Sequence, residues 1–235
     1  NGNGRIYLLK ANKTRVKKGE VISYLESGAN YRHIQKVEGL LSNLNKSMQA
    51  AIDLPDTLIL GEVSSAYNAF MLAYMQYQRV LSSNIYGTMH KNLRQQITSD
   101  KSVIANINNE VALKCQLLHV SANQLKKDSV LLAAKVISEQ EFQQQHAAHL
   151  SLQEALLNLQ STQMMKQSEV NHNQMEIQRI LLEESESKDK VYTDFVTRKN
   201  ELSNAINIWK ERYLQYAPVA GHLEYLGFWR NNRFV

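Results

Sequence analysis

The stretch ITSDKSVIANINNEVALKCQLLHVSANQLKKDSVLL, residues 97–132, decides the fold. Ile97, Ile104, Val111, Leu118, Leu125 and Leu132 recur in it at every seventh position. A residue repeated at that interval keeps facing a partner helix only when the two helices wrap around each other with a left-handed twist. After a short break a second helical pattern runs from about Ser138 to Tyr216. Its stripe opens with Leu152, Leu156 and Leu159, continues with Val170, Ile177 and Ile180, and closes with Val191, Phe195, Leu202, Trp209 and Tyr213. Gln163, Lys166, Asn173 and Glu184 enter the middle of this seam, where polar residues weaken a coiled coil but fix its register. The expectation is a long antiparallel hairpin. Its arms of about 73 and 79 residues would each span on the order of 110–120 Å at 1.5 Å per residue.

Working outward, Glu62 to Ala134 contains no Pro and only Gly87, near which the apolar pattern shifts phase, so a bend or stutter is expected there. Ile34, Val37, Leu41 and Leu44 predict a separate short helix, Tyr31 to Ile52, broken by Asp53-Leu54-Pro55-Asp56 because Pro55 biases its predecessor away from helix. A second start comes at Gly61-Glu62. Tyr67, Tyr74 and Tyr77 read as packing residues where this extra helix meets the hairpin rather than as a ligand cage. At the N-terminus, Arg5 to Lys10 reads as a strand with Ile6 and Leu8 on one face. Arg15 to Leu25 reads as two strands around Lys18-Gly19-Glu20, with Val16, Val21 and Leu25 buried and Gly19 supplying the turn. At the other end Pro218 stops the return helix and Gly221 opens a strand, His222 to Leu226. The fold is therefore mainly α. A coiled-coil α-hairpin, residues 31–216 with its turn near 133–138, is inserted between the two halves of a small β domain, residues 1–30 and 217–235.

Composition narrows the function. The chain has 235 residues, 27 basic and 22 acidic, for a net charge of +5, but no concentrated basic patch or interleaved aromatics of the kind a nucleic-acid surface needs. Lone Cys115 excludes an intrachain disulfide and a thiolate zinc cluster, and is expected as a small buried or half-buried residue of the outgoing helix. No apolar run approaches the roughly 18 residues of a membrane span. His146 and His149 are i, i+3 neighbours without convincing further ligands, and read as solvated surface. Glu183-Glu184-Ser185-Glu186 with Lys188 and Lys190 reads as a hydrated helix face. No phosphate loop or nucleophile elbow occurs, and a two-helix rod offers no cleft for catalytic carboxylates. No enzyme, no cofactor and no metal site are expected.

The run Val16-Lys17-Lys18-Gly19-Glu20-Val21-Ile22-Ser23-Tyr24-Leu25-Glu26 resembles one lipoyl-like half-motif, and Ala217-Pro218-Val219-Ala220-Gly221-His222-Leu223 resembles its partner half. The segment Leu226 to Val235, with Phe228-Trp229-Arg230-Asn231, is similar to the segment C-terminal to that second half in secretion-type adaptors. Two halves in this order around equal helical arms resemble the periplasmic adaptor, or membrane fusion protein, family, with HlyD-type secretion adaptors nearest. The resemblance covers nearly the whole chain. It departs from lipoyl and biotin carriers at Lys17-Lys18, which lacks the Met-Lys-Met context of a modified lysine.

The resemblance also implies a tip motif, onto which Lys127, Leu131 and Ser138 fall, with Ile137 opening the entry to the return helix. A lysine stands at 127 where the family carries arginine, so a bidentate contact is lost. Local physics places a turn there independently, since Ser138 and Glu141 form a capping box and Glu139 favours the positive helix start. What the resemblance implies is a periplasmic adaptor joining an inner-membrane ABC-type or other exporter to a TolC-like outer-membrane duct, in type I protein or peptide secretion. It also implies a ring, six copies, with exposed polar helix flanks side by side. The chain opens at Asn1-Gly2-Asn3-Gly4 and stops at Phe234-Val235, so a membrane anchor and further β structure are expected outside these residues. The competing reading is a non-transport coiled-coil scaffold whose β ends clamp the helices.

Overall fold

The structure, a computed structural model, describes residues 4–46, 57–225 and 233–234. Six strands and four helices occur in the order β1 (Arg5–Leu8), β2 (Arg15–Val16), β3 (Val21–Leu25), α1 (Tyr31–Lys46), α2 (Ser64–Ser82), α3 (Ile85–Ala133), α4 (Glu139–Tyr213), β4 (Leu214–Tyr216), β5 (Gly221–His222) and β6 (Arg233–Phe234). They form two compact units. One joins Asn1–Ser82 to Ser187–Val235, and the other is Ser83–Glu186.

The first unit holds the split sheet. Its four strands lie in the order β4-β3-β1-β6, and β2 pairs separately with β5. Every pairing is antiparallel, and three of the four join an N-terminal strand to a C-terminal one. The two quoted half-motifs bond directly to each other. Val16 lies opposite Gly221, the Gly19 N–H donates to the Ala217 carbonyl at 2.8 Å, and the Ala217 N–H donates to Glu20 O at 2.9 Å. Gly19 sits at φ +79, a left-handed turn that a side chain would strain. Ile6 and Val16 are buried as expected. Val21 and Leu25 are only half-buried, and the most buried residue on their face of β3 is Ser23, whose hydroxyl donates to Gln215 Oε1 at 2.7 Å.

Beneath the sheet, α1, α2 and the last turns of α4 share one apolar core. Ile34, Val37 and Leu44 of α1 pack with Tyr67, Phe70 and Tyr74 of α2 and with Phe195, Leu202, Ile206 and Trp209 of α4. Tyr67 and Tyr74 are thus packing residues, and Tyr77 stacks on Phe195 with ring centres 5.2 Å apart. The connection into α2 crosses the β3–α1 loop tightly. Ala29 bridges Leu60, and a Cβ on Gly61, at φ +50, would lie 2.6 Å from the Gly28 carbonyl carbon. The expected stop of α1 at Pro55, and its last turn to Ile52, lie outside the described residues, as does Leu226.

Several boundaries differ from the sequence expectation. The strand expected over His222 to Leu226 is Gly221–His222, where it pairs with β2, and the one expected over Arg5 to Lys10 stops at Leu8. The return helix ends at Tyr213, three residues early, because Leu214–Tyr216 leaves it to pair with β3; the β domain's second half thus starts at 214 rather than 217. The outgoing arm is two helices, broken at Ser83–Asn84 rather than at Gly87. Asn84 starts α3, its carbonyl accepting both the backbone N–H and the hydroxyl of Thr88 at 3.0 Å. A Cβ on Gly87 would lie 2.2 Å from Asn84 Oδ1, an overlap that the exposed Asn84 side chain relieves by rotating.

In the second unit α3 and α4 run antiparallel. Asp100 meets Lys166 at 3.7 Å, Asn108 Oδ1 accepts from Gln163 Nε2 at 2.7 Å, and Ser121 Oγ lies 3.0 Å from His149 Nδ1. As the α3 number rises, the α4 number falls. Ile97, Val170 and Ile177 form the apolar centre with Leu93 and Ile104 beside it, while Val111, Leu118, Leu125 and Leu132 are half-buried along the same row. The second seam row of α3 is Asp100, Ile107, Lys114, Ser121 and Asp128, and both aspartates are buried. Cys115, expected buried or half-buried, is exposed, because it falls one step outside these rows.

This packing sets two expected outcomes. Gly61→Ala forces a backbone overlap at a left-handed φ, and urea denaturation monitored by circular dichroism should register a loss of about 2–4 kcal/mol. Asp100→Leu should move the other way, by about 1–2 kcal/mol, because it replaces a buried carboxylate with a packed side chain while Lys166 keeps Glu169 at 2.5 Å. A destabilised Asp100→Leu protein would mean that the Asp100–Lys166 pair is net favourable.

Candidate functional site: the hairpin turn

Each helix has unsatisfied backbone groups at its ends, and residues 130–141 satisfy them within two turns of chain. Lys135, at φ 58, takes the left-handed position after α3. Its N–H donates to Leu132 O at 2.9 Å, and the Val136 N–H donates to Leu131 O at 2.9 Å, which is the two-bond Schellman closure. The α4 start mirrors it. The Ser138 N–H and hydroxyl both donate to Glu141 Oε2, at 2.8 and 2.9 Å, and the Glu141 N–H donates back to Ser138 Oγ at 3.2 Å. The capping box expected from Ser138 and Glu141 is thus present in full. The Ser138 backbone N–H, with its hydroxyl second, holds the Glu141 carboxyl below the ordinary carboxylate range.

The four residues singled out from sequence occupy different situations. Lys127 is exposed on α3, and Leu131, 39% exposed, lies one helical turn further along the same face. Ile137 is half-buried in the turn. Ser138 is exposed, but its hydroxyl is engaged in the cap. Sequence reading missed Val130 and Val136, each 67% exposed, which are the most open apolar side chains around the turn. Their signal was faint: Val130 lies off the seven-residue rows, and Val136 comes after a left-handed residue that carries a side chain where glycine is usual. Asp128 is buried beneath this end and accepts from Gln124 Nε2 at 2.8 Å.

His146 stacks on Phe142 and His149 is committed to Ser121. Among the described residues no three His, Cys, Asp or Glu side chains converge on a metal-sized site, and no helix is long and apolar enough to cross a membrane. The sheet unit carries a cavity of about 260 Å³ against the stacked rings of Tyr7, Tyr24 and Tyr31, with Glu26 as its carboxylate. Burial raises the Tyr24 and Tyr31 hydroxyls above the usual phenol value, and the Tyr31 hydroxyl accepts from Gln35 Nε2 at 2.7 Å.

No protein-family model matches this sequence, and no curated protein matches it significantly. Among solved structures the chain is similar to the periplasmic adaptor protein EmrA, at 13% identity and a TM-score of 0.46. That similarity covers 99% of this chain and 66% of the EmrA chain, so this chain spans just under two thirds of its length.

The cap makes an acid-range expectation. A carboxyl whose folded value is depressed stabilises the fold fully above its ordinary value of 4.5 and loses that contribution as pH falls through the lowered value. The Ser138 amide resonance should therefore titrate with a midpoint below 4.5. Glu141→Ala should speed hydrogen exchange at Ser138 and Glu139 while leaving exchange in the α1–α2 core unchanged.

Proposed function

We propose that this chain is a non-enzymatic periplasmic adaptor, bridging an inner-membrane exporter of ABC or other type to a TolC-like outer-membrane duct. The observation that carries the reading is the bonding of Val16–Glu20 to Ala217–Gly221. The two lipoyl-like half-motifs, separated by the whole helical excursion, close on each other through backbone hydrogen bonds. This is the arrangement that the resemblance to HlyD-type adaptors requires, and it differs from a helix pair merely flanked by unrelated strands. The finer assignment, to type I protein or peptide secretion, rests on that resemblance and on Phe228-Trp229-Arg230-Asn231.

In this reading the sheet unit faces the exporter and the turn faces the duct. The helices supply reach: the 49 residues of α3 alone make about 74 Å of helix. At the turn, Lys127 and Leu131 contact the duct, joined by Val130 and Val136, while Ser138 acts by holding the turn's shape. A single pair of helices encloses no passage, so copies form a ring, six of them as the resemblance to HlyD-type adaptors implies. No bound cofactor is required, and energy enters at the exporter.

The test is crosslinking in cells from a cysteine placed at Ser138 in a Cys115→Ser background. Capture of an outer-membrane duct supports docking. Capture of cytosolic proteins alone would replace the adaptor with the scaffold reading. Val136→Glu should reduce duct capture several-fold with no change in helical content.

A further inference from the structure

The net charge of +5 is not spread along the chain. Residues 1–30 and 214–235, the two segments that supply the strands, hold eight basic and three acidic residues, whereas residues 31–213 hold nineteen of each. The whole excess therefore belongs to the split β domain. It is inconspicuous in sequence because Thr14 and Val16 separate its members and no basic run there exceeds Lys17-Lys18.

Pairing inside the domain removes part of this charge and leaves the rest in one place. Arg5 lies 4.0 Å from Glu26, Lys10 lies 2.5 Å from Glu20, and Glu20 also accepts the Lys17 N–H at 2.9 Å. Lys13, Arg15, Lys17 and Lys18 are exposed, and among the described residues none has a carboxylate within ion-pair distance. Their order follows β2. Val16 is buried, so Arg15 and Lys17 on either side of it project from the opposite face, about 6.6 Å apart. Lys13 and Lys18 lie in the turns before and after the strand. The residue across from Arg15 is His222 rather than a carboxylate.

Cations set two residues apart on one face fit a partner that repeats its anions at the same interval. An extended polypeptide does so, because its same-side carboxylates are also two residues apart. Opposite charges facing each other across neighbouring strands attract, and the Arg15 guanidinium can hold a carboxylate through two parallel bonds. Space for such a strand is present: β2 pairs with β5 on one side, and among the described residues no strand pairs with its other side. An extended segment laid along an open edge gains main-chain bonds, while its alternate side chains set the specificity. A phospholipid surface also attracts clustered cations, but it imposes no two-residue interval.

We propose that the β2 row of Lys13, Arg15, Lys17 and Lys18 binds an acidic polypeptide segment in extended form, with alternate carboxylates on Arg15 and Lys17. The proposal rests on the protein or peptide export in the function given above, and it names acidic stretches of the exported chain as what the sheet unit holds. Because the charges on both sides are exposed, the contact is salt-sensitive and readily reversed, as transit requires.

The experiment is fluorescence anisotropy of a labelled poly-L-glutamate peptide titrated with the whole chain, with circular dichroism to show that structure is retained. The unsubstituted chain should bind the peptide, more weakly as salt rises, and should not bind poly-L-lysine. Arg15→Glu combined with Lys17→Glu should weaken binding by about tenfold or more. Arg15→Gln combined with Lys17→Gln should weaken it in the same direction, and reads the surface if the charge reversal unfolds the domain. Lys91→Glu combined with Arg94→Glu makes the same change in net charge on an exposed face of α3, and should weaken binding far less. Absence of binding, equal losses from the two charge-reversal pairs, or binding to phosphatidylglycerol vesicles without binding to poly-L-glutamate overturns the proposal. Crosslinking from position 138 reads a separate surface. Polyglutamate binding without duct capture would leave the β2 row standing and remove the adaptor reading, and duct capture by a chain that ignores polyglutamate would do the reverse.

Discussion

The hydrogen bonds between β3 and β4 are the constraint on which the rest depends. Tyr24 pairs with Leu214 and Val21 with Tyr216, so residues 190 and 195 apart in sequence lie side by side. Closing a flexible loop of that length would cost about 4–5 kcal/mol of chain entropy. Among the described residues the intervening chain is held in α1 to α4 and in a turn whose end groups are satisfied, which lowers the entropy left to lose. The sheet is small, and its anchorage comes from below: Trp209 Nε1 donates to Ser27 Oγ at 3.2 Å, Lys210 pairs with Glu38 at 2.6 Å, and Tyr213 OH donates to Glu62 Oε1 at 2.6 Å. The last two turns of α4 are thereby tied to the β3–α1 loop, to α1 and to the 3-10 turn Gly61–Val63 that leads into α2. Strand β4 begins one residue later, already positioned.

Much of this was legible in the residues. The seven-residue row of α3 and the seam of α4 fall on the less exposed positions, including the polar entries Gln163, Lys166, Asn173 and Glu184, because a helix-period pattern survives whatever the tertiary context. The turn was legible because Ser138 and Glu141 carry their function in their own chemistry. What escaped was decided by contacts distant in sequence. Leu214–Tyr216 reads as more helix until β3 is present to bond it. The break at Asn84 is marked by no periodicity, and its side chain makes no capping hydrogen bond that a sequence signature would record. Of the residues around the turn, Lys127 and Leu131 were singled out by their match to the tip motif of the family the chain resembles. Val130 and Val136 were not, since an exposed valine has no partner in the pattern to betray it.

The second seam row explains why the apolar signal of α3 looked like a single line. Asp100, Lys114, Ser121 and Asp128 occupy positions where a strong coiled coil carries leucine. Burying a carboxylate there is expensive even with Lys166 and Gln96 nearby, so the row lowers stability and raises the cost of sliding one helix past the other. A hairpin with a fully leucine seam could slip by a heptad at little penalty. This one has a single arrangement in which Asp100 meets a cation and Asn108 meets Gln163.

Between residues 108 and 121 the seam is mixed. Lys114, Ser121, Gln163 and His149 are half-buried in it beside Val111, Leu118, Leu152 and Leu156, while Leu113, Leu117, Val120, Leu150 and Leu157 face solvent. The polar members fix the register through Asn108–Gln163 and Ser121–His149, and the apolar members supply the cohesion. Register and cohesion are thus carried by different residues of one seam.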